Sequence, residues 1–371
     1  MPRITEVRAY LLRTELEKEF RTSVRSSRAS ESIVISVLDD EGQVGLGEGV
    51  PTHPYFEGDT TASLVKSLRR LSDKVVGEDC ARLGHLTEVV ARSGVKSHSA
   101  CAAIDIALHD LFARRLGVPL SDLLGQPKRS MLTSYTIGIQ GPDEMASEAK
   151  RMVDEGFKRI KIKIGTGLGE DIDRVKKVSF VLGDEARLSV DANQAYSLAG
   201  AIRLCKFLSK LEALEFLEQP LARSKVKETA ALRRKTDVKI MLDEGVRDAR
   251  EAMSAVKAEE ADYINVKLSK CGGIAEAMRI AAVCEAGGLG CMVGCYSENS
   301  VGIAAGMHFA LASRAVEFAD LDSDLMCPRK LATRGGAWIR DGARGVSPSL
   351  GLGIEELNRS LLRELFAKSA G

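Results

Sequence analysis

The sequence predicts an α/β fold of the TIM type, an eight-stranded parallel (β/α)8 barrel joined to a smaller α+β domain. Three observations carry that expectation. From about residue 133, β-prone apolar runs alternate with helical stretches rich in Ala, Glu, Arg and Leu. Eight such runs occur, at 133–139, 159–165, 187–192, 214–219, 239–243, 262–268, 289–294 and 315–321, the number a barrel closes with. Charged residues stand at the ends of successive runs, in RIKIKIG, RLSVDANQ, EFLEQP, KIMLDEG and YINVKLSK. Periodicity alone also allows a doubly wound open sheet, but such a sheet spreads these residues along a line, whereas a barrel gathers them at one mouth.

Before the repeat, residues 1–125 mix modes and read as one compact α+β unit. Alternating strands are expected near 3–12 and 32–39, Gly-rich turns from Gly42 to Gly49, and helices near 61–76 and 97–115. The barrel takes 126–328, with helices at 144–155, 170–182, 199–210, 225–235, 248–258, 273–286 and 301–313. The tail, 329–371, loses the repeat; Gly-rich turns and a final amphipathic helix at 355–367 are expected to pack back on the N-terminal unit.

Bulk properties narrow the function. A chain of 371 residues has room for a barrel and a companion domain. Its 53 basic and 52 acidic side chains nearly cancel, and without a polybasic run neither nucleic acid nor a charged membrane is indicated as partner. A small molecule is the expected ligand and a homo-oligomer the expected assembly. No apolar stretch approaches bilayer length, and MPRITEVRAYLL alternates like a strand, so a cytoplasmic location is expected. The eight cysteines form no CxxC pair and read as reduced, small hydrophobes. His109, inside AAIDIALHDL, reads as a core histidine. GTGLG at 165–169 lacks the register of a dinucleotide or P-loop and reads as a βα turn, and no GxSxG elbow suggests a hydrolase.

Asp191, Glu218 and Asp243 fall one per consecutive strand end. Three converging carboxylates repel unless a cation sits among them, and an all-oxygen donor set selects a hard ion, Mg²⁺ first and Mn²⁺ second, one per subunit. Lys161 and Lys163, two apart on a strand, point to one face. Their mutual repulsion is expected to lower the pKa of the more desolvated one, and Lys163, nearer the strand end, is the better base. Lys267 comes from a strand across the barrel axis. Two lysines on opposite faces of a substrate can remove one proton and deliver another. A metal stabilising the resulting enediolate makes proton abstraction beside a carboxylate the implied chemistry. Asn193 and Glu244 are read as residues that orient the ligands or a lysine, and Glu298, in GCYSEN, as a residue addressing the site or a lysine. Asp320 and Asp322, in EFADLDSDLM, suit a substrate ammonium.

These segments resemble the enolase superfamily, whose lysine and Mg²⁺ chemistry is a known pattern, and within it the muconate-lactonizing-enzyme subgroup, over nearly the whole chain. KIKIG resembles the subgroup's Lys-x-Lys strand; DAN, EQP and DE resemble its metal-ligand motifs; NVKLSKCGGI resembles the stretch bearing the opposing base. GEGVP at 47–51 and AAIDIALHDL resemble parts of its N-terminal capping domain. The resemblance implies an enolase-like (β/α)7β barrel, capped by the N-terminal region and the C-terminal tail. It also implies substrate selectivity in cap loops at about 18–30 and 50–59. Subgroup members include cycloisomerases, o-succinylbenzoate synthases, N-acylamino acid racemases and dipeptide epimerases. DLDSDLM resembles the Asp-x-Asp with which the epimerases hold a substrate's α-ammonium, so the implied activity is epimerisation of a dipeptide's C-terminal residue, of the L-Ala-D/L-Glu kind. The racemase, synthase and cycloisomerase remain the alternatives, and a non-catalytic barrel the remote one. FRTSVRSSRASES is similar to the loop where an arginine meets a glutamate side chain, and Arg25 falls there, whereas Tyr55 and Phe56 would suit a hydrophobic one. Cys295 and Tyr296 depart from the Ser or Thr and Met that many members carry.

Overall fold

In a computed structural model that describes residues 2–52, 58–125 and 127–370, eight parallel strands lie side by side in chain order. They are Tyr135–Ile137, Arg159–Lys163, Arg187–Asp191, Leu214–Glu218, Ile240–Leu242, Tyr263–Val266, Gly290–Gly294 and Val316–Asp320. A bridge between Thr133 and Ala319 joins the two edges, so the sheet closes into a barrel. Seven main helices fill the connections: Pro142–Asp154, Leu168–Leu182, Leu198–Leu208, Val226–Arg233, Ala249–Lys257, Ile274–Gly287 and Ser300–Ala312. Capping side chains start some of them; Ser197 accepts from Gly200 N, and Asp248 from Arg250 N and Glu251 N. The eighth strand runs instead into a 3-10 turn, Ser323–Met326, which gives the (β/α)7β pattern. No helix among the described residues is long and apolar enough to cross a membrane.

The two-residue period of a strand decides what fills the barrel. Phe216, Met241, Met292 and Phe318 share faces with Glu218, Asp243, Gly294 and Asp320 and form an apolar plug below them. The Phe216 and Phe318 rings meet edge to face at 5.1 Å, and the Arg159 guanidinium lies 4.6 Å from the Phe318 ring. Phe216→Ala is expected to cost about 3–5 kcal/mol. The plug closes the barrel from below, so charged groups above it meet solvent only from the mouth.

The cap is a four-stranded antiparallel sheet, ordered Leu362–Ser369, Ile4–Arg21, Ser26–Asp39 and Val44–Gly49. Helices Thr61–Val75, Leu83–Ala91 and His98–Leu116 accompany it. The structure corrects the sequence reading in four places. The tail helix expected at 355–367 is absent: Leu362–Ser369 is a strand paired with the first strand, because sheet pairing at an open edge outweighs helical spacing in so short a segment. The stretch from Gly42 to Gly49 contains a strand, not only turns, and its glycines let a helix approach: a Cβ on Gly47 would come within 1.9 Å of Ala103 O. The loop at 18–30 is largely the tip of a hairpin, with Phe20 opposite Ser27 and Arg21 opposite Ser26. Helix Leu83–Ala91 went unread.

Buried carboxylates join cap to barrel at helix N-termini. Glu48 accepts from Asn299 N at 2.8 Å and Gly302 N at 2.7 Å, at the start of Ser300–Ala312. Asp105 accepts from Ile274 N at 2.6 Å. Both carboxylates take up N–H groups left free at a helix start, and burial nonetheless pushes Glu48 up to about 7. His109 is buried with Nδ1 2.8 Å from Asp105 O, a satisfied core residue. All eight cysteines are unpaired.

Candidate active site

Adjacent register fixes the centre of the mouth: Lys163 lies opposite Asp191, and Asp191 opposite Glu218, on three neighbouring strands. Lys163 Nζ is 2.5 Å from Asp191 Oδ2, and on the far side Lys267 Nζ is 2.7 Å from Asp243 Oδ2. Lys161 lies deeper, with Nζ 2.7 Å from both Glu218 Oε2 and Asp320 Oδ2 and 3.5 Å from Asp191 Oδ2. The backbone just beyond two of these strands is strained: Asn193 has φ of 40° and Gln219 of 36°, both in the left-handed region. Gln219 Oε1 accepts from Asp243 N at 2.9 Å and Gly245 N at 3.0 Å, fastening the third carboxylate's loop to the second's.

The electrostatics follow from burial and these contacts. Burial opposes the charge on Lys161, but Asp320, Glu218 and Asp191 outweigh it and hold its pKa well above the ordinary lysine value. The expectation that lysine repulsion would lower the pKa of the more desolvated lysine therefore fails for Lys161, which has three carboxylates around it. Lys267 is raised in the same way, burial being overcome first by Asp243. Burial also opposes ionisation of Asp191, yet Lys163 and Lys161 hold it below the usual carboxylate range. Glu218 is different: burial and the neighbouring Asp191 push it up to about 7. Burial and Asp243 push Glu244 up to about 8.

A cavity opens above, between the mouth and the cap hairpin. Lys163, Asn193, Asp243, Glu244, Lys267, Asp320 and Asp322 line its barrel side. Leu16, Phe20 and Arg25 line its hairpin side, with Cys295, Tyr296 and Met326 at the rim. Lys161, Asp191, Glu218 and Glu298 are not among the lining residues and lie behind it. Asn193 donates from its backbone to Asp191 Oδ1 at 2.8 Å and holds Nδ2 3.4 Å from Glu244 Oε1. Asp320 Oδ1 accepts from Thr136 Oγ1 at 2.9 Å, and Asp322 Oδ2 from Thr136 N at 2.6 Å. Burial and then Asp320 push Asp322 up to about 6. Glu298 binds neither lysine; it accepts from Ser269 Oγ at 2.8 Å and Tyr296 N at 2.6 Å. Tyr55 and Phe56 lie outside the described residues.

Three supporting groups escaped the sequence reading. Asn265 Nδ2 donates to Glu218 Oε1 at 2.9 Å; it lies two residues before Lys267 on the same strand face, which was the available signal. Lys270 Nζ bonds Asp243 Oδ1 at 2.8 Å and Asn265 O at 2.6 Å, one helical turn after Lys267. Asp324, the third alternate aspartate of DLDSDLM, pairs with the fully buried Arg344, tying the turn that follows Asp322 to the C-terminal segment.

The donor set fits a hard divalent cation. Asp191, Glu218 and Asp243 are at most 1 % exposed, all offer oxygen, and Glu218 Oε2, though near Lys161, has no aligned hydrogen-bond partner. Among the described residues no group of three ligating side chains is gathered around one point, because the carboxylates are turned toward the lysines.

Residues 4–125 match the "Mandelate racemase / muconate lactonizing enzyme, N-terminal domain" family and residues 144–359 the "Enolase C-terminal domain-like" family. The chain is 33 % identical over 353 residues to a hydrophobic dipeptide epimerase of Enterococcus faecalis, covering 95 % of this chain and 99 % of that one. It is 33 % identical over 352 residues to an L-Ala-D/L-Glu epimerase of Clostridium acetobutylicum, covering 94 % and 97 %. It is 30 % identical over 368 residues to an N-succinyl-L-Arg/Lys racemase of Bacillus cereus, covering 98 % of each. The solved dipeptide epimerase of Enterococcus faecalis V583, complexed with Mg and the dipeptide L-Leu-L-Tyr, superimposes with a TM-score of 0.90 at 32 % identity over 95 % of this chain and 100 % of that one. The chain therefore belongs to the mandelate racemase / muconate lactonizing enzyme family of the enolase superfamily.

Proposed function

We propose that the protein is a Mg²⁺-dependent dipeptide epimerase, an isomerase that inverts the α-carbon of a dipeptide's C-terminal residue. The observation that carries this reading is one cavity lined by Lys163 and Lys267 and, beyond them, by the Asp320 and Asp322 pair. Asp191, Glu218 and Asp243 would hold the metal, their carboxylates turning from the lysines toward it. The bound cation supplies positive charge that stabilises the enediolate and lowers the barrier to loss of the α-proton.

The chain's own groups do the rest. Lys163 and Lys267 exchange roles: one, neutral, takes the α-proton, and the other, as ammonium, delivers a proton to the opposite face. Lys161 stays charged and fixes Asp320. Asp322, with Asp320 beside it, accepts hydrogen bonds from the substrate's ammonium, which sets the dipeptide's register. Asn193 and Glu244 steady the floor, while the cap hairpin covers the reacting carbon and excludes water. Arg25 on that hairpin suits an acidic C-terminal side chain, of the L-Ala-D/L-Glu kind, and Phe20 and Leu16 beside it suit a hydrophobic one. A homo-oligomer and a cytoplasmic site of action belong to the same proposal; sedimentation and cell fractionation test them.

The racemase alternative is favoured by one observation: Asp320 is already engaged by Lys161 and Thr136, and Asp322 by Thr136 N, so both carboxylates that would meet an ammonium already have donors. Incubation with Mg²⁺ and L-Ala-L-Glu, L-Leu-L-Tyr, or the matching N-succinyl amino acids, followed by chiral analysis, separates the two. Inversion of dipeptides over N-acyl substrates supports the proposal; the reverse preference replaces it with the racemase.

A further inference from the structure

Lys267 is enclosed in a way that Lys163 is not. A Cβ on Gly294 would lie 2.6 Å from Asn265 Oδ1 and 3.1 Å from Lys267 Cε, so the missing side chain makes room for the Asn265 amide and the lysine stem together. Above it, Lys267 Nζ stands 4.6 Å from the centre of the Tyr296 ring, a cation–π contact with no counterpart at Lys163 among the described residues. The ring is held in place from behind. Glu298 accepts from Tyr296 N at 2.6 Å and from Ser269 Oγ at 2.8 Å, so one buried carboxylate clamps the loop carrying the ring to the turn that follows Lys267.

We propose that Tyr296 is the positioning residue for Lys267, its ring retaining the ammonium on one face of the substrate when Asp243 is committed to a metal. The inference rests on the epimerase reading and extends it. Without the ring, an ammonium whose carboxylate partner is shared with a metal swings among rotamers, and misplacement by an ångström is costly for proton transfer. The effect is one-sided, because Lys163 works from the other face and touches neither Tyr296 nor Glu298.

The test is α-proton exchange with solvent deuterium in the Mg²⁺-loaded enzyme, measured separately on the L,L and L,D epimers of one dipeptide. Lys267→Ala first identifies the epimer whose proton Lys267 removes, since Lys163 still exchanges the other. Tyr296→Leu is expected to slow exchange of that same epimer about tenfold relative to the other, and Tyr296→Phe, which keeps the ring, to stay within about twofold of wild type. Equal slowing of both epimers, or an unchanged ratio in Tyr296→Leu, overturns the inference. A crystal structure of Mg²⁺-loaded Tyr296→Leu decides the same question without a substrate. Displacement of Lys267 Nζ from its wild-type position supports the role, and an unmoved Nζ refutes it. Wild-type silence on every dipeptide would refute the epimerase reading alone.

Discussion

At the barrel mouth, Lys161, Asp191, Glu218 and Asp243 are at most 1 % exposed and cross-linked by ion pairs of 2.5 to 3.5 Å. Across the cavity, Arg25, Phe20 and Leu16 ride on a hairpin whose tip meets the barrel through uncharged contacts, Ile139 N to Arg21 O at 2.7 Å and Ser23 Oγ to Asn193 O at 3.4 Å. Ser30 Oγ to Ser297 O at 2.7 Å and the Lys18–Glu148 ion pair fasten the hairpin further along. The mouth is a network in which removing one charge leaves another buried and unpaired. At the hairpin tip the Ile139–Arg21 tie runs through the backbone, which a change of side chain leaves in place. Reaction chemistry is thereby confined to the part of the molecule that tolerates least, and substrate choice to the part that tolerates most.

Substitution at either lysine breaks that comparison most sharply. Lys163→Ala and Lys267→Ala are each expected to lower epimerisation by about 10²–10⁴-fold while far-UV circular dichroism stays native. Asn265→Ala comes next. Loss of the amide that orients Glu218 is expected to weaken Mg²⁺ or Mn²⁺ binding by about 10–100-fold, read by calorimetric titration. At the boundary between the two regions, Asp322→Asn is expected to raise KM for dipeptides by about tenfold or more and to leave N-acyl amino acids unaffected.

The pH dependence has the same source. Burial and Asp320 push Asp322 up to about 6. It loses its charge as pH falls through that value, so KM for dipeptides is expected to rise below it and to be flat above, whereas KM for N-acyl substrates shows no such limb. The smallest effect belongs to the hairpin: Arg25→Met is expected to cost about fivefold in kcat/KM on substrates ending in Glu and little on hydrophobic ones. A larger or unselective loss would show that the hairpin is as constrained as the mouth.

The legible part of the sequence was its local part. Five of the barrel strands are apolar runs a few residues long with a charged residue at or just beyond the end, so Lys163, Asp191, Glu218, Asp243 and Lys267 could be read with their neighbours. Asp320 and Asp322 stood out because alternation puts both on one face. Asn265 and helix Leu83–Ala91 were missed although their signals were local; the other failures were tertiary. Leu362–Ser369 carries a helical spacing and becomes a strand because the edge of Ile4–Arg21 is open to it. The three carboxylates around Lys161 come from three different strands, so its raised pKa could not be inferred from the adjacent Lys163. Arg344 is buried against Asp324, 20 positions earlier, for a reason no local window contains. Glu298 was expected to address the site or a lysine; it bonds no lysine and holds the loop beside one.

The most direct test of two opposed lysines acting on one dipeptide is nuclear magnetic resonance of L,L-dipeptides with the Mg²⁺-loaded enzyme in D₂O. The account predicts loss of the C-terminal residue's α-proton signal, with deuterium at that carbon in the newly formed D epimer. A protein that binds Mg²⁺ yet leaves the α-proton of every dipeptide intact, while exchanging that of an N-acyl amino acid, would contradict it.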